Sequence, residues 1–354
     1  MVETRKLGGR YRLLNPLGPG SVRLAFDESE HRDVAVRRLR VPAELHDAAL
    51  DEARRATGLR HPLIAQVLDV VVEDGAPWLV MEFVSGVSLE QTVRSRHPLP
   101  VAQAARVGVC LLSALTAAHE AGIVHGRVDP GNVLLTPTGR AVLTGFGSPG
   151  LSMLPSADLW SLAATLHFAV EGRPPGQVPA PGADLLRSLI RAILRPPGPP
   201  PIEVVRETLD LLALDRPLDA VVAAGPLPPA QVAAIGLAVL DRLLAGGEFH
   251  GGVQPGNVLL SAGGRATLAP PLRSGTLPAF TAPEGAPTPA ADLWSLGATL
   301  FTAVEGSPPA PGAPMSRAGA LAPALRRLLS GDPAKRPAPD ELRRDLQTII
   351  EAPA

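Results

Sequence analysis

The sequence predicts an α+β chain, with a small β-rich N-terminal part followed by two tandem, mainly helical parts. Three observations predict it. The first 85 residues carry short runs rich in β-branched and aromatic residues. The remainder reads as apolar helices closed by glycine and proline. The helical part also occurs twice. HGRVDPGNVLL, from His125, matches HGGVQPGNVLL, from His250, at 9 of 11 positions. DLWSLAATLHFAVEGRPP, from Asp158, matches DLWSLGATLFTAVEGSPP, from Asp292, at 14 of 18. The two blocks keep their order and similar spacing, so the repeat is of domain scale. The expected division is residues 1–85, 86–212 and 213–354.

In chain order, RYRLL, SVRLAF, DVAVRRL, VLDVVV and WLVMEF predict five strands, interrupted by one helix from about Ala43 to Gly58. Each repeat then opens on a helical segment, LPVAQAARVGVCLLSALTAAHEAG from Leu99 and LPPAQVAAIGLAVLDRLLAGG from Leu227. Proline near the start, apolar residues at three- and four-residue spacing and glycine at the end are helix signals. The 40 prolines and 35 glycines are clustered between such segments, where they punctuate helices.

Bulk properties exclude several classes. There are 33 basic and 34 acidic residues, a formal net charge of −1, so no basic excess marks a nucleic-acid or anionic-membrane surface. An apolar share of 45% with 19% charged residues is ordinary for a soluble globular protein. The single cysteine, Cys110, lies in an apolar helical run and is expected to be a buried helix residue, so no disulfide forms within the chain. No stretch approaches the roughly 20 uninterrupted apolar residues of a bilayer span. MVETRKLGGRYRLL lacks the apolar core of a secretory signal. The expectation is a cytoplasmic protein without membrane insertion or nucleic-acid binding.

The motifs resemble those of the bacterial, actinobacterial-type eukaryotic-like serine/threonine protein kinases. RYRLLNPLGPGSVRLAF resembles the first two strands and glycine-rich loop, and VAVRRLR the third strand, with Arg37 at the family's lysine. DEARRATGLRHP resembles the αC helix and puts Glu52 at the glutamate that pairs with that lysine. MEFVSGVSL, from Met81, resembles the hinge, HGRVDPGN the catalytic loop, LTGFG the metal-binding Asp-Phe-Gly turn, and DLWSL the start of the central αF helix. The resemblance covers nearly the whole chain, the C-lobe part twice, and implies a protein-kinase-like fold of one small N-lobe and two tandem C-lobes.

Phosphoryl transfer on that scaffold needs a phosphate loop, a lysine–glutamate pair, a base and two metal ligands. The loop Gly18-Pro19-Gly20-Ser21-Val22 is three residues shorter than the family's and carries a proline, which offers no N–H to a phosphate. The resemblance places Arg127 at the catalytic aspartate, Asp129 at the catalytic lysine and Gly145 at the metal-binding aspartate. A guanidinium cannot accept the substrate proton, and Asn132 alone does not hold Mg²⁺. Arg37 is expected to form a structural bridge with Glu52. If a nucleotide binds, the resemblance places its contacts at Gly18, Gly20, Val22, Ala35, Arg37, Glu52, Met81, Glu82, Val84 and Leu134. No cofactor is expected; ATP without Mg²⁺ is the alternative.

The second copy has Gly252 and Gln254 at the base and lysine positions and Pro270-Pro271-Leu272 in place of the metal-binding turn. The two loops differ where the family keeps its catalytic pair and match around it, the pattern of a scaffold retained for shape. The remaining motif residues are structural: His125, Asp158 and Trp160 in the first copy, His250, Asn257, Asp292 and Trp294 in the second. Asp158 and Asp292 resemble the aspartate that holds the catalytic-loop backbone, and the tryptophans are expected in the core. Glu284 and Arg336 resemble the family's buried ion pair, of which the first copy lacks both members. The implied function is that of an inactive kinase-like protein, a scaffold or allosteric regulator of an active kinase or other signalling protein. A weakly active Ser/Thr kinase and a metal-independent ATP sensor are the alternatives.

Overall fold

The computed structural model describes residues 5–17, 21–148, 154–176, 184–195, 198–214, 216–246, 249–261, 263–270 and 276–352. The chain divides into two compact units, Met1–Pro175 and Gly176–Ala354.

The first unit opens with β1 (Lys6–Leu7), β2 (Tyr11–Pro16), β3 (Val22–Asp27), β4 (Arg32–Arg38), α1 (His46–Ala56), β5 (Val67–Glu73) and β6 (Ala76–Glu82). The strands form a six-stranded antiparallel sheet in the order β1-β2-β3-β4-β6-β5. Five of these are the strands the sequence predicts; β1 adds a two-residue edge. Period-two alternation puts Leu7, Tyr11, Ala25, Val34, Val36 and Val80 into one buried cluster. The buried positions on α1 are all alanines, Ala49, Ala53 and Ala56, so its backbone approaches its neighbours closely.

There follow β7 (Val87–Ser88), α2 (Leu89–Ser95), α3 (Val101–Glu120), β8 (Val133–Leu135), β9 (Ala141–Leu143) and α4 (Pro155–Glu171). At 20 residues α3 is long and apolar enough on average to pass for a membrane span, while Gln103, Arg106 and Ser113 interrupt it, so it is not an uninterrupted apolar run. In the fold its apolar side is core, with Ala104, Leu111, Leu112, Leu115 and Ala118 buried. Cys110, on the same helix, is only partly buried, because its side of α3 turns away from that core.

The second unit contains α5 (Leu185–Leu194), α6 (Ile202–Leu214), β10 (Arg216–Pro217), α7 (Leu218–Val222), α8 (Pro229–Ala245), β11 (Val258–Leu260), β12 (Ala266–Leu268), α9 (Pro289–Glu305), α10 (Ala322–Leu328) and α11 (Pro339–Glu351). The compact units part at 175/176. At the start of the second unit α5 buries Leu185, Leu186, Leu189, Ile190 and Ile193 and packs on α6.

From β10 to α9 the element order repeats that from β7 to α4, down to single hydrogen bonds. Leu99 N–H donates to the Ala169 carbonyl at 2.7 Å, and Leu227 N–H donates to the Ala303 carbonyl at 2.8 Å. Glu284 and Arg336 form a two-pronged ion pair, 2.6 and 2.8 Å, with Arg336 also donating to the Ala290 and Ser330 carbonyls. One difference between the repeats is steric. Ala163 of α4 corresponds to Gly297 of α9, where α10 crosses so closely that an added Cβ would lie 2.6 Å from Leu328 Cβ.

That contact involves an atom fixed to the backbone, so it outweighs the helix propensity alanine would add, about 1 kcal/mol. Gly297→Ala is expected to destabilise by about 1–2 kcal/mol net, within the usual overpacking range, and Ala163→Gly by about 1 kcal/mol through propensity. Each repeat therefore rejects the other's residue. Thermal denaturation checks this, and a rise in Tm for Gly297→Ala would contradict the close crossing.

Candidate functional site

The site is built outward from Asp158, fully buried in the first turn of α4. Its Oδ2 accepts the His125 N–H at 2.8 Å, and its Oδ1 accepts the Gly126 N–H at 2.7 Å. His119 of α3 adds a contact from Nε2 to Oδ2 at 2.8 Å. The sequence motifs do not single out His119, although its place six residues before His125 is visible in them. These bonds fix the loop of residues 125–132.

The His125 ring is held as the neutral Nε2–H tautomer. Its Nδ1 accepts the Arg127 N–H at 3.1 Å, so Nε2–H donates to the Thr144 carbonyl at 2.9 Å. Burial lowers its pKa. Phe146 packs edge-on against the ring, with centroids 4.6 Å apart.

Within the loop Asp129 is a turn cap. Its Oδ1 accepts the Gly131 and Asn132 N–H groups, and its Oδ2 accepts from Asn132 Nδ2 at 3.0 Å. Asn132 Nδ2 also donates to the Arg127 carbonyl. The Arg127 side chain is 60% exposed, with Nε 3.4 Å from Asp129 Oδ2. Gly145 has φ +99°, and a Cβ there would lie 3.2 Å from Asn132 Cγ. An aspartate at 145 would be both strained and crowded.

Arg37 on β4 donates from Nη2 to Ser148 Oγ at 2.5 Å. The expected Arg37–Glu52 bridge does not form. The turn at 145–148 packs directly on α1, since a Cβ on Gly147 would lie 3.1 Å from Ala53 Cα, and this brings Ser148 to Arg37. Burial raises the Glu52 pKa, with Arg55 opposing it. Burial lowers the Arg37 pKa, the Arg127 guanidinium adds to that, and Asp129 opposes it.

Of the other nucleotide-contact positions, Ala35 and Met81 are buried and pair directly across β4 and β6. Val22 pairs with Arg37 across β3 and β4. Val84 and Leu134 are half-buried and Glu82 is exposed. Gly18 and Gly20 lie outside the described residues.

The tryptophans depart from expectation. Trp160 is 50% exposed and Trp294 only partly buried. The aspartate two residues earlier must face the loop, and a helical step of two places residues on opposite faces. Trp160 instead lines a cavity of about 410 Å³ between residues 126–129 and Ala157 and Ser161.

In the second unit Asp292 accepts the His250 and Gly251 N–H groups at 2.5 and 2.8 Å. The place of His119 is taken by Leu244, which is 45% exposed. His250 Nε2–H donates to the Ala269 carbonyl, and burial lowers the ring's pKa. Asn257 Nδ2 donates to the Gly252 carbonyl at 2.7 Å, as Asn132 does to that of Arg127. Buried Gln254 accepts the Leu277 N–H through Oε1 at 3.0 Å, and Thr276 Oγ1 donates to the Gly251 carbonyl. This loop is tied to the segment at 276–280. Pro271 and Leu272 lie outside the described residues.

Residues 11–169 match the protein kinase domain. With the β-rich lobe and helical lobe described above, this is a protein-kinase-like fold. The chain is 30% identical over 176 residues to serine/threonine-protein kinase PrkC of Bacillus subtilis, covering 48% of this chain and 27% of that protein. It is 36% identical over 163 residues to a probable serine/threonine-protein kinase of Streptomyces coelicolor, covering 42% and 24%. Against serine/threonine-protein kinase PknA of Mycobacterium tuberculosis it is 30% identical over 269 residues, covering 64% and 62%. The chain thus spans from about a quarter to three fifths of the length of these relatives.

Histidine in an unfolded chain titrates near pH 6.5. Both loop histidines have lower folded-state values, so below about pH 6.5 the unfolded chain binds more protons than the folded one. Their stabilising contribution is therefore full above that pH and is lost as pH falls toward the folded values. Glu284, held below the usual carboxylate range by Arg336, loses stability in the same direction at lower pH. The Tm is expected to fall between about pH 7 and pH 5, and His125→Gln to flatten part of that slope. A flat Tm over this range would contradict the neutral assignment.

Proposed function

We propose that this chain is a pseudokinase with a duplicated C-lobe, acting in the cytoplasm by binding another signalling protein, foremost an active kinase, as a scaffold or allosteric regulator. The observation that carries this reading is the chemistry at residues 127 and 145. The position that needs a base holds an exposed guanidinium, and the position that needs a metal ligand holds a glycine whose backbone and surroundings disfavour any side chain. Asp129 does not substitute as the base, because both its oxygens accept hydrogen bonds inside the loop. In the second unit Gln254 faces the segment at 276–280 instead of a substrate.

The purified chain, incubated with Mg²⁺ and γ-labelled ATP, is expected to label neither itself nor a basic protein substrate. Mg²⁺-dependent transfer that disappears in Arg37→Met would overturn the reading in favour of a weakly active Ser/Thr kinase.

A second reading is a nucleotide sensor that works without metal. It is supported by the paired cations: Arg37 is partly buried, donates only to a serine hydroxyl among the described residues, and feels Arg127 as a like charge. An anionic phosphate beside them would relieve that repulsion without Mg²⁺. On this reading ATP raises the Tm equally with Mg²⁺ and with EDTA, by several degrees at about 100 times its Kd, and Arg37→Met abolishes the shift. No shift in either condition removes the sensor and leaves the protein-binding role.

A further inference from the structure

We infer that the cavity between the 126–129 loop and the start of α4 is the docking site for a partner's peptide segment that places a carboxylate beside an apolar side chain. The inference rests on the protein-binding reading and names the surface and the chemistry it uses.

The cavity has two walls of different character. One is the indole of Trp160, 50% exposed on a helix whose other large residues are mostly buried. Tryptophans in that situation are enriched at the centres of protein interfaces, where a rigid apolar body and one N–H donor are covered together. The other wall is Arg127. Its guanidinium meets its one acidic neighbour, Asp129, through Nε at 3.4 Å, while that carboxylate is already held by three donors of the loop. Nη1 and Nη2 are left without a partner among the described residues, in the fork geometry that binds a carboxylate through two bonds.

The cavity holds its shape without a ligand. Asp158 pins residues 125 and 126, His125 accepts the Arg127 N–H, and Ala157, Trp160 and Ser161 ride on the same rigid helix turn. At about 410 Å³ the space suits one or two side chains. The half-exposed indole leaves it open to a chain passing across the surface. Positive charge from Arg127, whose acidic neighbour Asp129 is already held by three donors of the loop, selects an acidic segment over a basic one.

The test is selection of a random dodecapeptide phage library on the immobilised full chain, with Trp160→Ala and Arg127→Glu as counter-targets. Both side chains are exposed, so neither change opens the core; Trp160→Lys replaces the alanine variant if that one misfolds. The expected winners carry Asp or Glu next to a large apolar residue. A synthetic copy of the best should bind the unaltered chain at least about tenfold more tightly than either variant, as for a central interface residue, and shift the indole fluorescence of Trp160. No enrichment, enrichment of basic sequences, or equal binding to Trp160→Ala would overturn the inference. If selection fails while the chain stays inactive toward ATP, this pocket falls and protein binding through another surface stands. Mg²⁺-dependent phosphoryl transfer would instead remove the reading beneath it.

Discussion

A buried aspartate at the start of a helix, accepting two consecutive backbone N–H groups, is the interaction on which each unit depends. Asp158 and Asp292 do this in the same way. A carboxylate without solvent is costly unless donors surround it. Here the donors are loop amides, and the helix N-terminus adds favourable partial charge. Once that bond is made, the rest of the first site assembles in order. The loop orients His125, His125 ties to Thr144, and the turn after Thr144 lies against α1 and delivers Ser148 to Arg37. His119 gives Asp158 a further partner that Asp292 lacks among the described residues.

Around this framework the residue types of the first site differ from those the family resemblance implies. Two positions that carry carboxylates in the catalytic version of such a site hold Arg127 and Gly145, and the remaining carboxylate and amide, Asp129 and Asn132, bond to their own loop. The result is an ordered loop in which Asp129 and Asn132 are engaged internally and the Arg127 side chain is exposed. Histidine at 125 contributes packing and orientation, since the neutral tautomer is held from both sides.

The two units treat the equivalent loop differently. In the second, the segment at 276–280 is hydrogen-bonded onto it through Gln254 and Gly251, and Asn257 is buried. In the first, Arg127 and Trp160 remain exposed on either side of a cavity. The loops that differ at Arg127/Gly252 and Asp129/Gln254 thus make different contacts in the two units.

Much of this is legible in the sequence. Alternating apolar residues mark the strands, since period two is a property of the extended chain, and apolar spacing with proline and glycine marks the helices. Residue types can be read directly: Arg127 and Gly145 stand where the family resemblance places a base and a metal ligand, and a guanidinium does not act as a base. Partners are harder. The family resemblance predicts Glu52 at Arg37, yet Ser148, 111 residues away in sequence, takes that place. It predicts Trp160 in the core, yet the helix turns that side chain outward once Asp158 is committed inward. Local pattern is set by bonds within a few residues, so the sequence by itself determined the elements, the repeat and the residue types that stand at the site. Which side chains meet, and which cavity stays open, depends on close packing between distant segments, and only the tertiary structure decided that.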